Sequence, residues 1–82
     1  MSTTAERKRM HKEFMKHTTV LEAHVSEPYV IIRASARVGR RVLIGLGVAR
    51  YGKDDIFNAR VGTLIAHSRA ITDLMRQAYE LY

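Results

Sequence analysis

The stretch YVIIRASARVGRRVLIGLGVAR, residues 29–50, alternates with period two on both sides of a central Gly-Arg-Arg. Val30, Ile32, Ala34, Ala36 and Val38 share one side of an extended chain, and Arg33, Ser35 and Arg37 share the other. Val42, Ile44, Leu46 and Val48 form a second apolar row. Such alternation predicts two strands, and the segment between them is too short for anything but a hairpin. Loop length then sets the register. A two-residue loop, Gly39-Arg40, opposes Val38 to Arg41 and puts the apolar rows on opposite faces. A three-residue loop through Arg41 opposes Val38 to Val42 and unites the rows, and this second register is the expectation. It sets Arg33, Ser35 and Arg37 beside Leu43, Gly45, Gly47 and Ala49 on the outer face. Glycine inside a strand often marks the close approach of a ligand or another backbone. That face reads as a groove with guanidinium walls and a glycine floor, able to hold a phosphate or a base. The alternative is that the glycines permit twist or close subunit packing.

Upstream, residues 18–25 place Leu21, Ala23 and Val25 against Glu22 and His24, the pattern of a further half-buried strand ended by Ser-Glu-Pro. Pro28 falls where it costs no ladder bond. Before that strand, Thr3-Thr4-Ala5-Glu6 is a capping box that opens a helix to about Lys16. Its apolar face is thin, Met10, Phe14 and His17, while Arg7, Lys8, Arg9, Lys12 and Lys16 crowd the rest. Downstream, Asp54 and Asp55 are expected to cap a long helix, where carboxylates meet free amides and the positive end of the dipole. Phe57, Val61, Leu64, Ile65, Ile71, Met75, Ala78 and Tyr82 trace a broad apolar face expected to lie toward the sheet. Ala59, Gly62, Ala66 and Ala70 form a second row of small residues. Gly62 costs about 1 kcal/mol against alanine in a helix interior, so it implies backbone proximity to the sheet or to a neighbouring helix. Arg69, Asp73, Arg76 and Glu80 read as a solvated ladder of ion pairs. The predicted fold is one small α+β domain over residues 1–82 in the order α-β-β-β-α. It has a basic N-terminal helix (1–17), a three-stranded antiparallel meander (18–50) and a long C-terminal helix packed on the sheet (54–80).

The formal net charge is +6, distributed unevenly: residues 1–53 carry eleven Lys/Arg against four Glu, and residues 54–82 three Arg against four acids. Such a balance favours anionic partners by long-range attraction. Cysteine is absent, which removes disulfides and thiolate chemistry. No apolar run approaches the roughly 20 residues of a membrane span, and the N-terminus is too charged for a signal-peptide core. The expectation is a cytoplasmic protein with no membrane partner. His11, His17, His24 and His67 show no ligand spacing, so no metal is expected. Asp54 and Asp55 lack a Ser, Cys or His at a recognisable spacing, and GLGVARYG is not a strand–GxGxxG–helix unit. No catalytic residues and no cofactor are assigned.

The stretch DDIFNARVGTLIAHSRA, with Asp54, Asp55, Phe57, Asn58, Gly62, Ile65, Ala66, Arg69 and Ala70, resembles a pattern in small tailed-phage accessory proteins. The preceding GVAR is similar too, so the resemblance covers about a third of the chain, from Gly47 to Ala70. More distantly it resembles phage anti-Thoeris proteins, which counter host defence by sequestering a cyclic nucleotide. That resemblance implies a non-catalytic protein in which Phe57 stacks on a base, Asn58 hydrogen-bonds and Arg69 pairs with phosphate. With Arg33 and Arg37 from the groove, these are the candidate ligand-binding residues, and the expected location becomes the host-cell cytoplasm.

The order α-β-β-β-α is also that of the double-stranded-RNA-binding domain, although Lys-Asp-Asp at the entrance to the last helix would repel phosphates. Nucleic-acid binding through Arg7, Lys8, Arg9, Lys12, Arg33, Arg37, Arg40 and Arg41 is therefore the alternative, mainly as charge. A third reading is an inhibitor gripping a host protein through Leu74, Tyr79, Leu81, Tyr82 and the first helix. A homodimer or higher homo-oligomer is expected from the small core, the small-residue row and Leu74 with Leu81.

Overall fold

The structure, a computed structural model, describes residues 4–52 and 56–81, Arg7 and Leu81 by backbone alone. The elements are helix α1 (Thr4–Lys16), strands β1 (Thr18–Ser26), β2 (Tyr29–Val38) and β3 (Arg41–Arg50), and helix α2 (Ala59–Leu81). The strands form an antiparallel meander in the order β1-β2-β3. The predicted α+β architecture is the observed one. Among the described residues no helix is long and apolar enough to cross a membrane.

The β2–β3 hairpin differs from expectation. Val38 pairs with Arg41, Ala36 with Leu43 and Ala34 with Gly45, so the loop is the two residues Gly39-Arg40. Gly39 has φ 62°, the one positive φ among the described residues. A glycine in that region at the first central position is what a type II′ turn requires, and its twist matches the strands on either side. The two apolar rows therefore lie on opposite faces. Val30, Ile32, Ala34 and Ala36 are buried under α2 together with Gly45, Gly47 and Ala49. Val42, Ile44, Leu46 and Val48 lie on the open face, 63, 47, 51 and 36% exposed.

Helix α2 keeps only part of its expected apolar face. Ile71 is fully buried and Phe57 and Met75 pack on the core, as expected, but Ala66, Ala70 and Leu74 are fully buried in place of Val61, Leu64 and Ile65, which are exposed. A Cβ on Gly47 would lie 1.8 Å from the Ala66 carbonyl oxygen, and one on Gly45 would lie 2.6 Å from that of Ala70. A Cβ on Gly62 would lie 2.7 Å from Val30 Cγ2. Glycines on strand and helix thus let the two backbones approach through alanine-sized contacts, which bury surface without bulk. Of the two contacts left open for Gly62, the sheet is the actual one. Gly62, Ala66, Ala70 and Leu74 are buried inside the chain and so supply no helix–helix contact, while Ala59 of the small-residue row is exposed. Leu81, by its side chain, and Tyr82 lie outside the described residues.

Helix α2 begins at Ala59 rather than near residue 54. Asn58 Oδ1 accepts from the Arg60 amide at 3.0 Å and the Val61 amide at 3.1 Å, so Asn58 is the N-cap. Asp54, Asp55 and the Thr3 capping box lie outside the described residues. Strand β1 is not half-buried: only Thr18 is partly covered, and Val20, Leu21 and Val25 are 46, 46 and 48% exposed. Its register with β2 shifts between Val20 and Glu22, leaving Leu21 as the extra residue of a bulge. Helix α1 is anchored by Phe14, which packs on the core. Its carbonyl accepts from the His17 amide at 3.1 Å and the Thr18 hydroxyl at 2.6 Å. Tyr79 donates its hydroxyl to Met10 Sδ at 3.0 Å.

Candidate functional site

Residues on three parts of the molecule were candidates for binding. Arg69, Asp73 and Gln77 recur along α2 every fourth residue and meet the outer edge of β3. Arg69 Nη1 donates to the Val48 carbonyl at 2.7 Å, the Leu46 amide donates to Asp73 Oδ2 at 2.9 Å, and Gln77 Nε2 donates to the Ile44 carbonyl at 2.8 Å. Arg76 Nη2 reaches Asp73 Oδ1 at 2.7 Å. The expected solvated ion-pair ladder is thus largely a backbone cap that closes a free sheet edge. Burial works to raise the Asp73 carboxyl, but bonds from the Leu46 amide, Arg76 and Gln77 hold it below the ordinary carboxylate range. Arg76 is raised by the same pairing.

Phe57 and Asn58 lie just before α2. The Phe57 ring meets that of Tyr51 edge-on at 5.0 Å. The Tyr51 hydroxyl donates to the Asn58 carbonyl at 2.6 Å, and the Asn58 side chain caps the helix. These groups are engaged in fixing the helix start.

Arg33 and Arg37 belong to the open-face row with Val42, Ile44, Leu46 and Val48, and Arg33 lies 3.8 Å from Glu22. Arg50, on the same face, stands 5.6 Å over the Tyr29 ring. The glycine-floored groove does not exist, because Gly45 and Gly47 face α2 and the two-residue turn sends the arginines to the other side. The five ligand candidates are therefore divided between the β3 edge, the start of α2 and the open face.

Where α1 crosses the end of β2, a cleft of ≈ 510 Å³ is lined by Arg9, Met10, Glu13, Phe14, His17, Ala36 and Arg37. A smaller hollow of ≈ 210 Å³ continues past Met10 and Phe14 to Met75, Ala78 and Tyr79. The thin face of α1 produces this space: Phe14 reaches the core, but nothing bulky beside it fills the gap to Ala36. Arg9 and Arg37 both border this cleft; both belong to the nucleic-acid set read from the sequence, and Arg37 to the ligand set as well. Glu13 is held by Lys16 at 3.3 Å. Lys8, Lys12, Arg40 and Arg41 are exposed, and the Arg7 side chain lies outside the described residues. Sequence reading singled out Met10, Phe14 and His17 as the packing face of α1 but not as a lining. Only the i, i+4 pairs Met10/Phe14 and Arg9/Glu13 could have signalled it. Among the described residues no three His, Asp or Glu gather as metal ligands.

No protein-family model and no curated protein matches the chain. Among solved structures it is similar to the one described as "Crystal Structure of Rv2632c", with a TM-score of 0.68 and 28% identity over 78% of this chain and 75% of that chain.

Proposed function

We propose that the protein is a non-catalytic binding protein that holds an anion with an apolar body, a nucleotide being the simplest such molecule, in the cleft between α1 and the end of β2. The observation that carries this reading is that Arg9 and Arg37 border, with Met10, Phe14 and Ala36, one cleft of ≈ 510 Å³. That volume falls in the usual range of small-molecule sites, about 300–1,000 Å³, which are mostly apolar with few polar groups. Guanidinium groups bind phosphate oxygens bidentately, and the net charge of +6 draws anions in. Sequestration, the role implied by the resemblance of residues 47–70 to phage counter-defence proteins, needs no more than such a hold. It would rest on the cleft rather than on Phe57, Asn58 and Arg69.

Thermal unfolding tests the reading with adenosine, mononucleotides, cyclic dinucleotides and inorganic phosphate. Nucleotides at about 100 times their Kd stabilise by about 2.7 kcal/mol and raise Tm by about 10 °C or more, and adenosine does not. Arg9→Glu with Arg37→Glu removes the shift, whereas Arg69→Ala retains it. No shift with any nucleotide, or an undiminished shift in the Arg9/Arg37 variant, overturns the proposal. A shift produced instead by duplex DNA or RNA, declining steeply with salt, selects nucleic-acid binding on the same basic end.

A further inference from the structure

The two edges of the sheet are treated differently. Arg69, Asp73 and Gln77 close the outer edge of β3, as described above. Among the described residues no side chain bonds to the backbone of β1, yet β1 exposes Val20, Leu21 and Val25 by nearly half. An open edge rich in aliphatic residues is a template for another strand.

We propose that β1 pairs antiparallel with β1 of a second copy about a two-fold axis at Ala23, joining the two meanders into one six-stranded sheet. The sequence of β1 is self-complementary in this register. Ala23 opposes Ala23, Glu22 opposes His24, and Leu21 opposes Val25. The pleat agrees: Glu22 and His24 pair with Arg33 and Ile31 on the open face, while Ala23 and Val25 pair with Ile32 and Val30 on the helix face. Each copy thus offers a carboxylate to an imidazole on the open face and Ala23 to Ala23 on the helix face, with the aliphatic Leu21 and Val25 opposed at the ends of the paired stretch. Centring the axis on Glu22 would instead oppose two carboxylates, and centring it on His24 would oppose Glu22 to Ser26. The bulge at Leu21 limits the paired stretch to Leu21–Val25. Packing of two open faces is disfavoured, because Arg33, Arg37 and Arg50 on that face would meet their own copies with Glu22 the one acid on its strands to offset them among the described residues.

Sedimentation velocity across a micromolar concentration series tests the pairing in the wild type, Glu22→Lys, His24→Glu and the double variant. His24→Glu opposes two carboxylates twice per dimer, and Glu22→Lys removes the carboxylate from each imidazole, so each weakens association, the first on the order of tenfold. The double variant opposes Lys to Glu and restores it. Each single variant is checked for an unchanged melt when dilute, since both side chains are exposed. A wild type that stays monomeric at high micromolar concentration overturns the proposal. So does dimerisation undiminished in both single variants, or lost instead in Leu46→Lys, which would assign the contact to the open face.

Discussion

Replacing Gly47 by alanine tests the seating of α2 on the sheet most directly. The added Cβ would lie 1.8 Å from the Ala66 carbonyl oxygen, 2.4 Å from the Ala70 nitrogen and 2.9 Å from the Ala66 carbonyl carbon. All three are helix backbone atoms and cannot rotate aside. Restoring an ordinary contact of 3.4 Å lifts the helix by about 1.6 Å over β3, and that movement separates Ala66, Ala70 and Leu74 from the strands they bury. Overpacking costs about 1–3 kcal/mol where side chains can yield, so a clash with backbone belongs at the upper end, about 3 kcal/mol. Alanine returns at most about 1 kcal/mol through a less disordered unfolded chain. The net loss of about 2–3 kcal/mol lowers Tm by about 8–24 °C for a domain of this size. It is a large share of the roughly 4–12 kcal/mol that such a chain has. Thermal and urea unfolding followed by circular dichroism read it out, with Gly39→Ala as a reference that strains only a turn, at about 1–2 kcal/mol. In the three-residue hairpin register Gly47 would sit on the open face and alanine would be harmless. A Gly47→Ala protein within about 0.5 kcal/mol of wild type would therefore refute the observed register and the helix seating together.

Three further outcomes follow from the same contacts. Because the Asp73 carboxyl is held below its ordinary 3.8 in the folded protein, its contribution is present above that value and is lost as pH falls through the folded one. Urea midpoints should therefore drop on acidification from pH 5 toward pH 2, and Asp73→Asn should flatten that part of the curve. Asn58→Ala should cost about 1 kcal/mol in urea unfolding by removing the cap on α2; an unchanged midpoint would mean that another group serves the Arg60 and Val61 amides. Leu74→Ala should cost about 2–5 kcal/mol and Leu64→Ala under about 1 in the same assay, the reverse of what the sequence-predicted helix faces require.

Period-two alternation from Tyr29 to Arg50 and the helical spacing beyond Phe57 made the element order legible, because each is a local property of the chain. Which face of each element would be covered was not local. Two apolar rows competed for burial on β2 and β3, and the large side chains Val42, Ile44, Leu46 and Val48 lost to Gly45, Gly47 and Ala49. The prize was a close approach of α2, available only where strand and helix both lack bulk. Gly39 carries the local sign of this outcome, since glycine followed by another residue suits a two-residue II′ turn. The binding candidates scattered for the same reason. A register change of one residue moved Arg33 and Arg37 to the face opposite the glycines, and the seated helix turned Arg69 onto the backbone of β3. Composition determined a basic, cysteine-free chain and periodicity its α+β element order. The choice of its core, its closed edge and its cleft belonged to the packing of a glycine-lined strand against a glycine- and alanine-lined helix, which no single segment encodes.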